Sequence, residues 1–475
     1  MRSALPAVFV AAIVAGVVHA EEWSQFRGPN GAGHAVGQQP LPAEIGPDKN
    51  VLWKVELPAG HGSPAIHGDR IYLTAARGKT LLTLALDRAT GKTLWQAEAP
   101  VKTLEKIHAT GGSYAQSSPA TDGEHVVSFF GSSGLLCYDA AGKLLWHQAM
   151  GPFNNDFGAG SSPIIVGDRV ILNQDHDSDS CLTAFDKKTG KILWKTDRAE
   201  FRRGYATPIV WDVDGRKQIV VPGTLRVVGY DLETGKEVWT VRGIARLVNT
   251  TPVVGPNGTL YLTAWTAGAD AGDRIDLPPF EDLLAKQDAN KDGALEEKET
   301  VGTVLKERFG QFDRDKDGRL TKPEYDGMRA IFATAANVVL AIKPGGKGDV
   351  TESHVLWNYN RTIPYVPSPL LHNDTLFLIK DGGILTCLDA KSGKELSQER
   401  VFGGGRYHSS PVVGDGKIYF ANQEGLVNVI EAQARWRPLS RARFEEPIHA
   451  TPAIANGRIY LRTNGHLYCF GLSSQ

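Results

Sequence analysis

The chain has 475 residues, 41% of them hydrophobic and 22% charged, and a formal net charge of −1 at neutral pH. Such a length can bury a large core, and so even a charge balance gives no overall field that would gather nucleic acid or an anionic membrane. Nucleic-acid binding is therefore excluded as a class.

In chain order, Arg2, an apolar run from Ala4 to Val18 and the small outer residues of Val18-His19-Ala20 read as a cleaved secretory signal over 1–20. The run falls short of the roughly 20 residues that span a bilayer. No cysteine follows it and no later segment is apolar enough to span, so the expectation is an exported, periplasmic or envelope protein without a lipid anchor. Residues 21–50, rich in Gly and Pro, read as an extended arm packed by Trp23 and Phe26.

From Val51 onward one pattern returns. Ser or Thr, then Pro, then a short apolar run occurs at Pro64, Pro119, Pro163, Pro208, Pro252, Pro369, Pro411 and Pro452. Seven intervals separate these eight copies; six are 41 to 55 residues long, and the one from Pro252 to Pro369 is 117. Within a copy the signals are short and β-like: Arg70-Ile71-Tyr72-Leu73 alternates, Leu82 to Leu86 supplies a third strand, and Asp87 to Lys92 has the residues of a tight turn before Thr93-Leu94-Trp95. Four short strands every 44 residues or so predict propeller blades. The turn recurs from Asp139 to Trp146, Asp186 to Trp194, Asp231 to Trp239 and, without its Trp, Asp389 to Leu396. The last copy ends at Phe470 with no closing strand, whereas Val51 to Glu56 is a closing strand without a blade; pairing the two closes an eight-bladed ring. The fold class is all-β with one small helical insertion, and the chain is expected as a monomer.

Ala85-Leu86-Asp87, Thr90-Gly91-Lys92 and Trp95 together resemble the tryptophan docking motif of the pyrroloquinoline-quinone-like propeller repeat family. That family includes quinoprotein alcohol dehydrogenases and a periplasmic scaffold of outer-membrane protein assembly. The resemblance covers the mature chain outside the insertion and implies that each Trp packs on the neighbouring blade. It does not carry over a quinone site. The family's dehydrogenases cap the quinone with adjacent cysteines, whereas Cys137, Cys181, Cys387 and Cys469 lie far apart and read as buried free thiols. Pyrroloquinoline quinone is thus a possible cofactor that no motif supports, no catalytic residue is assigned, and triads and phosphate loops are absent as motifs.

The long fifth copy holds a guest. Between the propeller segments 51–266 and 336–475, residues 267–335 turn charged and helical. Asp288, Asn290, Asp292, the Ala294 carbonyl, Glu296 and Glu299 stand at positions one, three, five, seven, nine and twelve of an EF-hand loop, with Gly293 at six. Asp313, Asp315, Asp317, the Arg319 carbonyl, Thr321 and Glu324 repeat the set, with Gly318 at six. A hard cation takes six to eight oxygens, and this spacing wraps them around one point, so two Ca²⁺ sites are expected. Apolar residues on each side (Phe280, Leu283 and Leu284; Val301, Val304, Leu305 and Phe309; Met328, Ile331 and Phe332) predict helices, the middle one shared by both loops because they start only 25 residues apart.

Two smaller acidic runs are read as structure. Asp212 to Arg216 predicts a hairpin turn, and Asp175 to Asp179 a solvated acidic loop.

Residues just ahead of each Ser/Thr-Pro start the innermost strands and so ring one mouth of the channel. His61, Gln116, Tyr205, Asn249, Tyr365, Arg406, Tyr407, His408 and His449 are the candidates there for an anionic or polyol ligand. The leading functional expectation is a calcium-binding scaffold or binding protein in the envelope, its partner an envelope protein or a small molecule. The alternative is a quinone-dependent oxidoreductase working at the channel mouth.

Overall fold

The computed structural model describes residues 23–472 apart from 36, 109–110, 156, 178, 270–275, 307, 314 and 316, and of Gln311 the backbone only. The proposed signal lies outside them.

Eight antiparallel sheets form the ring. Blade one runs Ala65–His67, Arg70–Arg77, Thr80–Asp87, Thr93–Glu98, and its order from the axis outward is its order in sequence. Blade eight holds Ala453–Ala455, Arg458–Arg462 and His466–Gly471, and its outermost strand is Val51–Glu56 from the other end of the chain. The ends of the ring are therefore joined by a ladder, and no blade is left with a missing strand.

The turn motif has a physical role in every blade that carries it. In blade three, Asp186 Oδ1 accepts from the backbone and the hydroxyl of Thr189, at 2.8 and 2.6 Å. Gly190 follows with φ +72°, and the Trp146 ring of the preceding blade lies on it so closely that a Cβ there would be 2.6 Å from the ring. Trp146 Nε1 donates to Lys187 O in the same turn (2.8 Å). Trp53, Trp95, Trp194 and Trp357 repeat the arrangement, donating to Arg88, Ala140, Leu232 and Ala390 carbonyls. Where Trp is lost, Ser397 donates its hydroxyl to Ala434 O instead.

Trp239 departs from the expected docking. Blade five lacks the turn, and Trp239 folds back into its own blade over Gly229, donating to Gln218 Oε1 (2.6 Å) and meeting Trp211 edge-on. The free edge is covered by Gly348–Asp349, which adds a fifth, parallel strand to blade four.

Three of the cysteines follow from the same register. The third-strand residue opposite the docking position is small: Ala85 faces Trp95, Ala184 faces Trp194, and Cys137 and Cys469 face Trp146 and Trp53. Cys387 faces Ser397. All four cysteines are buried and free.

Of the two minor runs, Asp212 to Arg216 makes the hairpin between Ile209–Val213 and Arg216–Pro222. The run from Asp175 is no solvated loop. Asp175 and Arg198 form a fully buried bidentate pair (2.7 and 2.8 Å), with Arg198 stacked on Phe201, and Asp177 pairs with Arg203. Their partners sit more than twenty residues downstream, beyond the reach of local pattern.

The insertion leaves blade five after Leu260–Ala264 and returns at Val338–Ile342. Thr266 N donates to Asn337 Oδ1 (2.7 Å) and Asn337 Nδ2 to Thr266 O (3.1 Å), pinning its base. It has its own core, with Phe280, Leu295, Phe309, Phe312, Leu320, Tyr325 and Phe332 among its members.

Candidate functional site

Two places gather chemistry: the insertion's loops and the channel mouth.

In both loops the same internal bonds curl the backbone. Gly293 N donates to Asp288 Oδ2 and Gly318 N to Asp313 Oδ2, each at 3.0 Å. Ala294 N and Arg319 N donate to Asp292 and Asp317 at position five, and Glu296 N and Thr321 N to the closing Glu299 and Glu324. Leu295–Glu296 and Arg319–Leu320 pair as a two-stranded sheet, with Leu295 opposite Leu320 and both buried. Asp313, Asp315 and Asp317 bring one carboxylate oxygen each within 4.8 Å of one another. Asp313 is 6% exposed, and its Oδ1 is buried without a partner, a costly arrangement for a carboxylate unless a cation takes that oxygen.

The shared helix is not formed. Among the described residues the chain makes one 3-10 turn around Glu299, Glu297–Thr300, and then a single helical turn, Phe309–Phe312. Leu305 and Phe309 reach the core, whereas Val301 and Val304 are exposed.

At the mouth, the ring comes from one register position. The residues three before each proline are His61, Gln116, Gly160, Tyr205, Asn249, Val366, His408 and His449, and all eight line a cavity of about 580 Å³. Tyr365 and Arg406 line it as well. Tyr407 does not. It is fully buried in the wall with Leu385 and Phe420, its N–H donating to Asp381 Oδ1 (2.7 Å) and its hydroxyl to Gly403 O.

The hydroxyls of the Ser/Thr-Pro motif, to which sequence reading assigned no role, form a closed hoop. Ser63 N donates to Ser118 Oγ, Ser118 N to Ser162 Oγ, Ser162 N to Thr207 Oγ1, and Thr207 N to Thr251 Oγ1. Thr251 N then donates to Ser368 Oγ, Ser368 N to Ser410 Oγ, Ser410 N to Thr451 Oγ1, and Thr451 N back to Ser63 Oγ. Each bond, 2.8 to 3.3 Å, ties one blade to the next at the axis and contributes on the order of 1 kcal/mol.

Below the hoop the arm closes the channel. Trp23 bridges Ile66 in blade one, Asn30 bonds both ways with Val210 in blade four, and Gly33 and Ala35 bond Val413 in blade seven. Phe26 forms part of the cavity lining, and Arg27 is buried beside it with Nη2 donating to Pro369 O (2.8 Å).

His61 and His449 stack at 3.8 Å and His408 meets His449 edge-on. Burial holds His61 down to about 2 and His408 to about 3, and lowers His449 as well, so the three imidazoles are uncharged at neutral pH. Burial also raises Asp381 above the usual carboxylate range. Asp381, Gln423, Trp265, His108 and Phe157 line the cavity without having been predicted. Asp381 and Gln423 follow second strands, whose ends share the mouth face, and Trp265 follows the second strand of blade five. Tyr205 is held by donating to Asn155 Oδ1 (2.8 Å).

A quinone with three carboxylates fits this lining poorly. The described residues offer it one guanidinium, Arg406, no lysine and no cysteine.

Ring and mouth together define an eight-bladed propeller with a cavity at one end of a blocked axis. A family model for the outer membrane protein assembly factor BamB matches residues 43–111, 83–266 and 298–475, and the chain belongs to that family. BamB of Yersinia pestis is 25% identical over 419 residues, 82% of this chain and 91% of that protein. A polyvinylalcohol dehydrogenase of a Pseudomonas species is 25% identical over 269 residues, 45% of this chain and 40% of the enzyme. Among solved structures, BamB from Moraxella catarrhalis has a TM-score of 0.55 at 15% identity, covering 88% of this chain and 98% of its own. A europium-containing methanol dehydrogenase has 0.54 at 13% identity, covering 95% and 98%. These two likenesses concern the fold. No helix among the described residues is long and apolar enough to cross a membrane.

Proposed function

We propose that this chain is an exported calcium-binding propeller that acts as a binding or scaffolding protein in the periplasm or cell envelope. The observation that carries the calcium part is the repeated bond network of the two loops, with the Asp313 oxygen left buried and unpartnered among three carboxylates. The scaffolding part draws on membership of a family named for an assembly factor, and on a relative of that name matched over 91% of its length. Ca²⁺ would be held by Asp288, Asn290, Asp292, Ala294 O, Glu296 and Glu299, and by Asp313, Asp315, Asp317, Arg319 O, Thr321 and Glu324. Extracellular calcium fills even sites with dissociation constants near 10⁻⁴ to 10⁻³ M.

Calorimetric titration of the full chain with Ca²⁺ tests this. Two sites are expected, and Glu299→Gln with Glu324→Gln should abolish the heat; an unchanged isotherm in the double variant refutes the loop assignment. Envelope proteins retained by the immobilised chain should be identified with calcium and with chelator, and retention indifferent to both chelator and the double variant separates calcium from scaffolding.

The second reading, a quinone-dependent oxidoreductase at the mouth, is favoured by the size of the cavity and by likeness to polyvinylalcohol dehydrogenase. Its lining counts against it. Dye-linked oxidation of alcohols or sugars in the presence of added quinone, lost on replacing His61 and His449, would overturn the scaffold reading.

A further inference from the structure

We propose that the mouth cavity is a cup for a neutral saccharide, bound without redox chemistry and independently of any protein partner. Its volume of about 580 Å³ lies in the range of small-ligand sites. Because the arm crosses the axis beneath it, the cup has one entrance, on the face from which the insertion rises.

The lining selects the ligand's chemistry. Among the described residues its formal charges are one guanidinium, Arg406, and one carboxylate, Asp381, which cancel. The imidazoles add none at neutral pH. Neither an anion nor a cation therefore gains by entering, and a charged ligand would give up its hydration without full compensation. The remaining surface pairs flat faces with isolated polar atoms. Trp265 and Tyr205 add aromatic rings to the lining, the kind of side chain against which the C–H face of a pyranose packs. Trp265 is itself set by edge-on contact with Tyr365 at 4.9 Å.

Among the described residues, three lining side chains hold a buried polar atom with no partner: Gln116 Oε1, Asn249 Oδ1 and Trp265 Nε1. That is two acceptors and one donor, Gln116 from blade two and Asn249 and Trp265 from blade five. A sugar hydroxyl is both donor and acceptor, so a polyol satisfies this mixed set, whereas a ligand offering acceptors only would leave the two amide oxygens unpaired. The amide of Asn249 is already oriented, since its Nδ2 donates to Tyr365 O (3.2 Å). Below, the hydroxyl hoop exposes six of its members, Ser63, Ser118, Ser162, Thr207, Ser410 and Thr451, to the same space. Each accepts from a neighbouring blade's N–H and keeps its own proton to donate.

Saturation-transfer NMR on the full calcium-loaded chain, with cellobiose and N,N′-diacetylchitobiose as separate probes and citrate as the anionic comparison, tests the cup. At least one disaccharide should show transfer concentrated on ring C–H protons, and citrate none. Trp265→Ala and Asn249→Ala should each weaken the disaccharide about tenfold, the loss of one stacking face or one hydrogen bond. Gln116→Ala serves where either variant fails to fold, each being checked by its melting curve. Absence of transfer from both disaccharides overturns the proposal, as does citrate binding in preference, or disaccharide binding untouched in all folded variants. Because no envelope protein is present, failure here leaves the scaffold reading standing, and failure of the calcium titration leaves the cup standing.

Discussion

Protonation of the mouth histidines works against the fold. His61 has its pKa lowered to about 2 and His408 to about 3, first by burial and then by the positive charge that neighbouring groups carry or would gain on protonation: His449, Arg462 and His408 for His61, His449 and Arg406 for His408. In the unfolded chain each titrates near 6.5. The unfolded state therefore binds more protons between that value and the folded one, so stability is complete above about pH 6.5 and falls steadily as the pH drops below it. Each such histidine costs about 2 kcal/mol between pH 6.5 and 5. The melting temperature should fall over this interval, and His61→Gln should flatten the fall; a profile equally steep in the variant removes His61 from the account. Hydrogen bonds inside the loops run on the same residue scale but depend on local spacing, which is why the tight turn at Gly293 and Gly318 could be anticipated from sequence. The mouth was legible in part, since a register position can be counted from each proline. Tyr407 failed the count because its ring packs into the wall beside Leu385 and Phe420, a contact between blades, and Asp381, Gln423 and Trp265 were missed because they come from strand ends that no motif marks.

At the scale of elements, the ring is stitched by two different seams. One is the outer docking of Trp on a glycine turn; the other is the inner hoop of hydroxyls. The outer seam leaves no room for a side chain. Gly190→Ala brings a Cβ to 2.6 Å of the Trp146 ring at φ +72°, whereas Gly167→Ala, at φ +60°, meets nothing within 4 Å. Both substitutions carry the backbone cost of a left-handed conformation, on the order of 1 kcal/mol, and only the first adds a clash worth about 2 kcal/mol more. Urea unfolding of the two variants should separate them by that margin, and equal midpoints would mean the turn yields without loss. The outer seam could be read from spacing because Asp, Thr, Gly and Trp are chemically distinctive. The inner seam could not, although its residues stood in the opening motif of every copy, because only closure of the ring brings Ser63 beside both Ser118 and Thr451.

For the whole molecule, two cores coexist in one chain. The insertion buries Phe280, Phe312, Tyr325 and Phe332 in a cluster of its own, joined to blade five at the Thr266–Asn337 clamp. The ring's clusters run blade to blade, and one of them unites Trp53, Tyr460 and Tyr468 across the closure. On the calcium reading, scanning calorimetry should show two transitions, of which only the insertion's moves down with chelator, because a ligand stabilises the unit that binds it. A ring transition that moves equally would show the two cores to be one cooperative unit.

The sequence by itself determined the number of blades, the strand that closes them and the place of the insertion. Each of these is a matter of period or of local spacing, which a linear chain carries in full. Tertiary structure alone decided what required separate segments to meet: the hydroxyl hoop, the arm across the axis, the buried Asp175–Arg198 pair, the inward turn of Trp239 and the composition of the cup. In each case the deciding contact joins residues from different strands, blades or loops, and its energy depends on a burial that no one segment can supply.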